Sequence, residues 1–244
     1  MTERPDDYAA CRELLRAGSK SFFAASLALP GRVRLPATVV YAFLRSLDDE
    51  VDRDGADPSV VAEQRNRLLA AYAGKPRETP IDRAFSSVVR EHALPRAVFD
   101  AMLEGFAWDT EGRRYATFDA LVDYCIRVAG TVGVCMALLM DRRDREVLAR
   151  ACDLGIAMQL TNIARDVGED ARRGRVYLPL EWLEEAGVDV DSWLSHPVAS
   201  PAIREVVERL LSAADMYYRR ADPGIAALPF DARPAIRGAR YIYS

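Results

Sequence analysis

The chain has 244 residues, half of them apolar, with 33 basic and 37 acidic side chains and a net charge of −4. No basic block interrupts that balance, which argues against a nucleic-acid partner. The four scattered cysteines (Cys11, Cys125, Cys135, Cys152) and two isolated histidines (His92, His196) show no zinc-ligand spacing and fit a reducing cytoplasm.

The start, MTERPDDYAA, is too polar for a secretory leader. From there apolar residues recur at helical spacing and no run alternates as a strand would, so the predicted fold class is all-α. The predicted helices cover 6–17, 19–28, 34–53, 58–73, 80–92, 95–110, 117–140, 143–168, 179–186, 200–220 and 231–244. Turn chemistry separates them at Pro30-Gly31, Asp54-Gly55, Gly74-Lys75-Pro76, Gly174 and Pro223-Gly224, and 187–201 is the longest irregular piece. No linker divides the chain, so one domain over 1–244 is expected. The longest apolar run, 128–140, is shorter than the roughly 20 residues a membrane span needs and reads as a buried core helix. The helical pattern reaches the last residues without a cap or breaker, and the natural protein is expected to continue with further helices.

Two of these helices carry the same polar stripe. In 40–52, Val40, Phe43, Leu44, Leu47 and Val51 form an apolar face, and Tyr41, Arg45, Asp48 and Asp52 form a stripe beside it. In 156–170, Ile156, Leu160, Ile163 and Val167 form the apolar face, and Gln159, Asn162, Asp166 and Asp170 form the stripe. Both stripes end in two aspartates one turn apart. One such pair weakens a helix by only about 0.2–0.5 kcal/mol, so a lone acidic turn reads first as a solvated face. Its repetition shifts the balance towards Mg2+, which takes short-stemmed oxygen ligands and shares phosphate oxygens. Residues 50–55, EVDRDG, start like a calcium loop but have Glu50 at the first position and Val61 at the twelfth, where aspartate and glutamate are needed.

SKSFF (19–23), YAFLRSLDDEVD (41–52), YCIRVAGTVG (124–133) and LTNIARDVGEDARRGRVYLP (160–179) together resemble the head-to-head prenyl synthases, the phytoene and squalene synthase family. The resemblance implies an isoprenoid-synthase-type helical bundle with a central apolar cavity and two aspartate-rich helices facing across its mouth. It implies that Asp48, Asp52, Asn162, Asp166 and Asp170 hold Mg2+ or Mn2+, with the four aspartates and Arg45 catalytic. It further implies that Ser19, Lys20, Ser21, Arg45 and Arg165 contact diphosphate, and that Tyr41, Gln159 and Tyr243 line the substrate site.

The activity expected from the resemblance is condensation of two geranylgeranyl diphosphates through prephytoene diphosphate to phytoene, without NADPH. The alternatives are a presqualene, dehydrosqualene or squalene synthase using farnesyl diphosphate, a class I terpene cyclase, and a non-catalytic helical homologue. VAGTVG has two readings, small residues beside a long substrate or tight helix packing. The expected partners are prenyl diphosphates and, for product release, a membrane surface. The expected place is the cytoplasm, with the oligomeric state left open.

Overall fold

The computed structural model describes residues 5–18, 20–51 and 59–243, and among these every regular element is helical. The first half contains α1 (Pro5–Gly18), α2 (Lys20–Leu27), α3 (Gly31–Val51), α4 (Ser59–Tyr72), α5 (Pro80–Glu91) and α6 (Arg96–Thr110). It continues with α7 (Phe118–Cys125), a π-helical turn (Ile126–Gly130) and α8 (Thr131–Leu139). The second half contains α9 (Arg145–Arg172), α10 (Leu180–Glu185), α11 (Val190–Ser195), α12 (Pro201–Ala227) and α13 (Arg233–Tyr243).

The helix starts follow capping chemistry. Thr79, Thr117, Asp144 and Ser200 each accept a backbone N–H from the first turn that follows, a contact worth about 1 kcal/mol. Two apolar clusters organise the packing. One joins α3, α5 and α6, where the Phe43 and Phe85 rings stack at 3.7 Å and Phe99 meets Phe85 edge-on at 5.1 Å. The other surrounds α9 and α12 and buries Leu121, Leu160, Leu210 and Tyr218. All four cysteines are free thiols, and burial pushes each above its ordinary pKa, so they serve as packing residues.

The all-α expectation is met, and several boundaries are corrected. The helix expected from 34 begins at Gly31, because the Pro30 carbonyl already accepts from the N–H groups of Val33 and Arg34. The piece expected to be irregular contains α11, capped by Asp189. The break expected at Pro223-Gly224 is absent, since α12 runs through it. Gly224 is there for close approach: a Cβ on it would stand 2.3 Å from Arg150 Cβ. The single helix expected over 117–140 carries a π turn, in which the Thr131 N–H reaches back to the Ile126 carbonyl.

Phe118–Leu139 as a whole is long and apolar enough to cross a membrane by length and composition. Its packing explains that composition. A Cβ on Gly133 would stand 2.0 Å from the Ala151 carbonyl oxygen, and one on Gly155 2.2 Å from the Ala129 carbonyl oxygen. The glycines therefore bring the π turn and α8 against α9 backbone to backbone. Of the two readings of VAGTVG, helix packing accounts for Gly130 and Gly133, while Ala129, Val132 and Gly133 also face a cavity.

Candidate active site

A cavity of about 250 Å³ is walled by α2, the π turn, α8, α9, the end of α12, and α13. Its lining is almost wholly apolar, with Met136, Met140, Leu154, Met158 and Ile225 among the larger side chains. Along α9 the lining runs from Val147 to Asn162, about 22 Å at 1.5 Å per residue. Gln159, Asn162 and Tyr243 supply the polar groups at one end, and Arg150, bonded to Asp153 at 2.9 Å, lies towards the other. Ser26 enters the wall from α2, buried, its hydroxyl donating to the Phe23 carbonyl at 2.7 Å.

The structure thus brings Gln159, Asn162 and Tyr243 into one wall. Arg165 and Asp166 lie outside the lining, one turn beyond it on α9, and Arg165 lies near Tyr243. Arg165 binds Asp166 through two bonds, Nε–Oδ1 at 2.8 Å and Nη2–Oδ2 at 2.7 Å. Arg45 was expected to serve the diphosphate rather than a surface ion pair, yet it pairs with Asp49 at 2.6 Å. The reason is helical spacing, four residues on an accessible face. Both pairs are more than a third open to solvent on at least one side. They are worth about 0–1 kcal/mol, so either arginine can leave its carboxylate for a more highly charged anion. Tyr41 and Arg45 also pack on the end of α1. A Cβ on Gly18 would meet the Tyr41 hydroxyl at 2.8 Å and Arg45 Cγ at 3.5 Å, which sets these two stripe residues beside the last residue of α1. Ser19 and Asp52 lie outside the described residues, as do the side chains of Lys20, Ser21 and Asp48.

Whether these residues suit a divalent cation is tested by the α9 stripe. Asn162 Oδ1 is buried without a hydrogen-bond partner, an acceptor in need of a donor or a cation. Asp166 and Asp170 follow at successive turns of the same face. Burial, and then the neighbouring charge of Asp166, raise Asp170 to about 6, against the opposing pull of Arg175 and Arg173. Among the described residues no three His, Cys, Asp or Glu side chains converge as a self-sufficient metal site. Three short oxygen donors in a row fit an ion that keeps waters and takes its other ligands from phosphate.

Asp170 also gives a pH prediction. Its folded pKa lies above the ordinary 3.8, so its proton stabilises the fold fully below that value and the benefit is lost as pH rises through about 6. Without divalent ions, wild type should therefore gain melting temperature relative to Asp170→Asn as pH falls from 7 to 4. Parallel pH profiles for the two would contradict this.

One supporting group escaped the sequence reading. The Asp109 carboxylate accepts from the Tyr124 hydroxyl at 2.9 Å and the Tyr177 hydroxyl at 2.8 Å. This ties the RGRVYLP segment that follows the second stripe to α6 and α7. Both tyrosines stand in the quoted motifs, but nothing in the sequence marked Asp109 as their partner.

Comparison with known proteins places this geometry. A family model described as squalene/phytoene synthase matches residues 15–244. The phytoene synthase of Cereibacter sphaeroides is 53% identical over 248 residues, covering 98% of this chain and 70% of that protein. The 15-cis-phytoene synthase of Paracoccus sp. is 44% identical, covering 95% and 78%. A solved dehydrosqualene synthase in complex with ligand superposes with a TM-score of 0.90 at 34% identity, covering 98% of this chain and 83% of that one. The matched residues include both stripes, the glycine contacts and every helix that walls the cavity, and the chain belongs to the squalene/phytoene synthase family.

Proposed function

We propose that the chain is a phytoene synthase, a prenyltransferase that joins two geranylgeranyl diphosphates head to head through prephytoene diphosphate and releases diphosphate. The observation that carries this is the α9 stripe, with the unpartnered Asn162 Oδ1, at one end of a cavity that is apolar along about 22 Å of helix. Asn162, Asp166 and Asp170 would hold Mg2+ or Mn2+, together with Asp48 and Asp52 from α3 and the residues after it. Bound there, the cations neutralise charge building on the leaving diphosphate. Arg45 and Arg165 add fixed positive charge once they exchange their carboxylate partners for phosphate oxygens. The methionine- and leucine-lined wall keeps water from the allylic cation left behind. Gln159 and Tyr243 orient the substrate where the polar and apolar surfaces meet. The protein is assigned to the cytoplasm, with a membrane surface receiving the hydrocarbon product.

The test is product analysis with C20 and C15 diphosphates and Mg2+, with and without NADPH. The expected product is a conjugated triene from the C20 substrate, formed without nicotinamide and visible by its ultraviolet absorption. A strict NADPH requirement, or turnover of the C15 substrate alone, would move the chain to the squalene or dehydrosqualene reading.

Ser26 bears on the same choice. It is buried and lines the cavity, and a C20 chain brings five more carbons to bury than C15, worth roughly 4 kcal/mol at about 0.8 per methylene. Ser26→Phe should occupy part of that space and shift the ratio of kcat/KM towards farnesyl diphosphate. An unchanged ratio in a folded, active variant would show that Ser26 does not limit chain length.

A further inference from the structure

The acidic end of α3 is gripped from α4 by a buried polar group to which the proposed chemistry assigns no role. Gln64 is fully buried, its amide nitrogen donates to the Leu47 carbonyl at 2.7 Å, and its Oε1 is buried without a partner. Three residues on, Arg67 is 5% exposed. It donates from Nε and Nη2 to the two oxygens of Asp82 at 2.7 and 2.8 Å, and from Nη1 to Glu50 at 3.3 Å. Its guanidinium lies 4.9 Å from the centre of the Phe43 ring. Asp82 is itself fully buried and accepts from the Thr79 hydroxyl as well.

A purely structural role explains this poorly. Methionine would fill the Gln64 site without stranding a buried amide oxygen. What Gln64 gains is a grip on a helix end that needs one. The last turn of α3 has no basic residue and carries Asp48, Asp49 and Glu50, acids at the negative end of the helix dipole. Gln64 and Arg67 project from one face of α4. They take α3 at the Leu47 carbonyl and the Glu50 carboxylate, the positions that bracket Asp48 in the chain.

We propose that Gln64 and Arg67, braced by Asp82, are positioning residues for the cation-binding end of α3. They keep its final turn helical against its own charge and fix the rotation of the backbone that carries Asp48. The inference rests on the functional reading above. It makes cation affinity, rather than global stability, the property these residues govern.

The experiment reads thermal stabilisation of the full chain by inorganic pyrophosphate during a MgCl2 titration, which requires no turnover. Gln64→Met keeps the volume and the charge. Glu50→Gln removes one grip and leaves the Arg67–Asp82 pair intact. Each should raise the Mg2+ concentration for half-maximal stabilisation about ten-fold or more, the scale of losses from residues that orient metal ligands. Gln64→Met should melt at or above wild type when Mg2+ is omitted. If wild type gains nothing from Mg2+ and pyrophosphate, the functional reading fails. If wild type is stabilised and Gln64→Met titrates like it, the positioning inference is overturned, even where Glu50→Gln shifts through its lost charge.

Discussion

Asp166→Asn is expected to lower turnover about 10²–10³-fold, the scale set by removing one preorganised group from a site of developing charge, while the helical circular dichroism stays that of wild type. Asp48→Asn should do the same from α3. The fold has little to lose at position 166. The carboxylate is 35% exposed and its partner Arg165 62% exposed, so the pair adds at most about 1 kcal/mol. Asparagine also removes the like charge that helps raise Asp170, which favours the helix. A solvated face would respond to this change with no loss of activity and a slight gain in stability. A cation-holding stripe would respond with the same slight gain and a large loss of turnover. The two readings part only in the activity assay, and near-normal turnover in a folded Asp166→Asn protein would return the stripe to surface chemistry.

The chemistry-bearing stripe on α9 was legible because spacing alone puts Gln159, Asn162, Asp166 and Asp170 on one face. The structure adds that only the first two reach the cavity wall, which they share with Tyr243 of α13. Local pattern also located most helices, since apolar residues recur at helical spacing and turn residues such as Gly74 and Gly174 mark breaks between them. It misread Pro223-Gly224 because a glycine that breaks a helix and one that admits a neighbouring side chain look alike in sequence. Only the position of Arg150 separates them. The π turn was hidden too, because the apolar pattern over 117–140 does not distinguish a single wider turn from a regular one. The Arg45–Asp49 pair and the Gln64 and Arg67 grip on α3 show the same limit. A charged helix reveals its faces, but which of several acids each arginine chooses is decided in three dimensions.

Gly155→Ala should produce the largest loss of stability among small substitutions in this chain, with Gly133→Ala close behind. The added methyl at 155 would stand 2.2 Å from the Ala129 carbonyl oxygen and 2.6 Å from its carbon, and at 133 it would stand 2.0 Å from the Ala151 carbonyl oxygen. Both obstacles are backbone, so no side chain can rotate away. The π turn and α8 must move off α9, and the opposing glycine loses its contact in the same step. The expected destabilisation is at least about 3 kcal/mol, the upper part of the range for overpacked cores, which for a chain of this size lowers Tm by about 6–12 °C. Activity should fall with it, because Ala129, Val132, Gly133, Ala151 and Gly155 all line the cavity and a shift of either helix reshapes the wall. Gly238→Ala on α13 is the control. Nothing lies within 4 Å of the added carbon, and alanine's better helix propensity favours the variant by up to about 1 kcal/mol. If Gly155→Ala melts within a degree of wild type while Gly238→Ala behaves as expected, the π turn and α9 do not meet backbone to backbone. The apolar, glycine-bearing character of VAGTVG would then belong to the substrate after all.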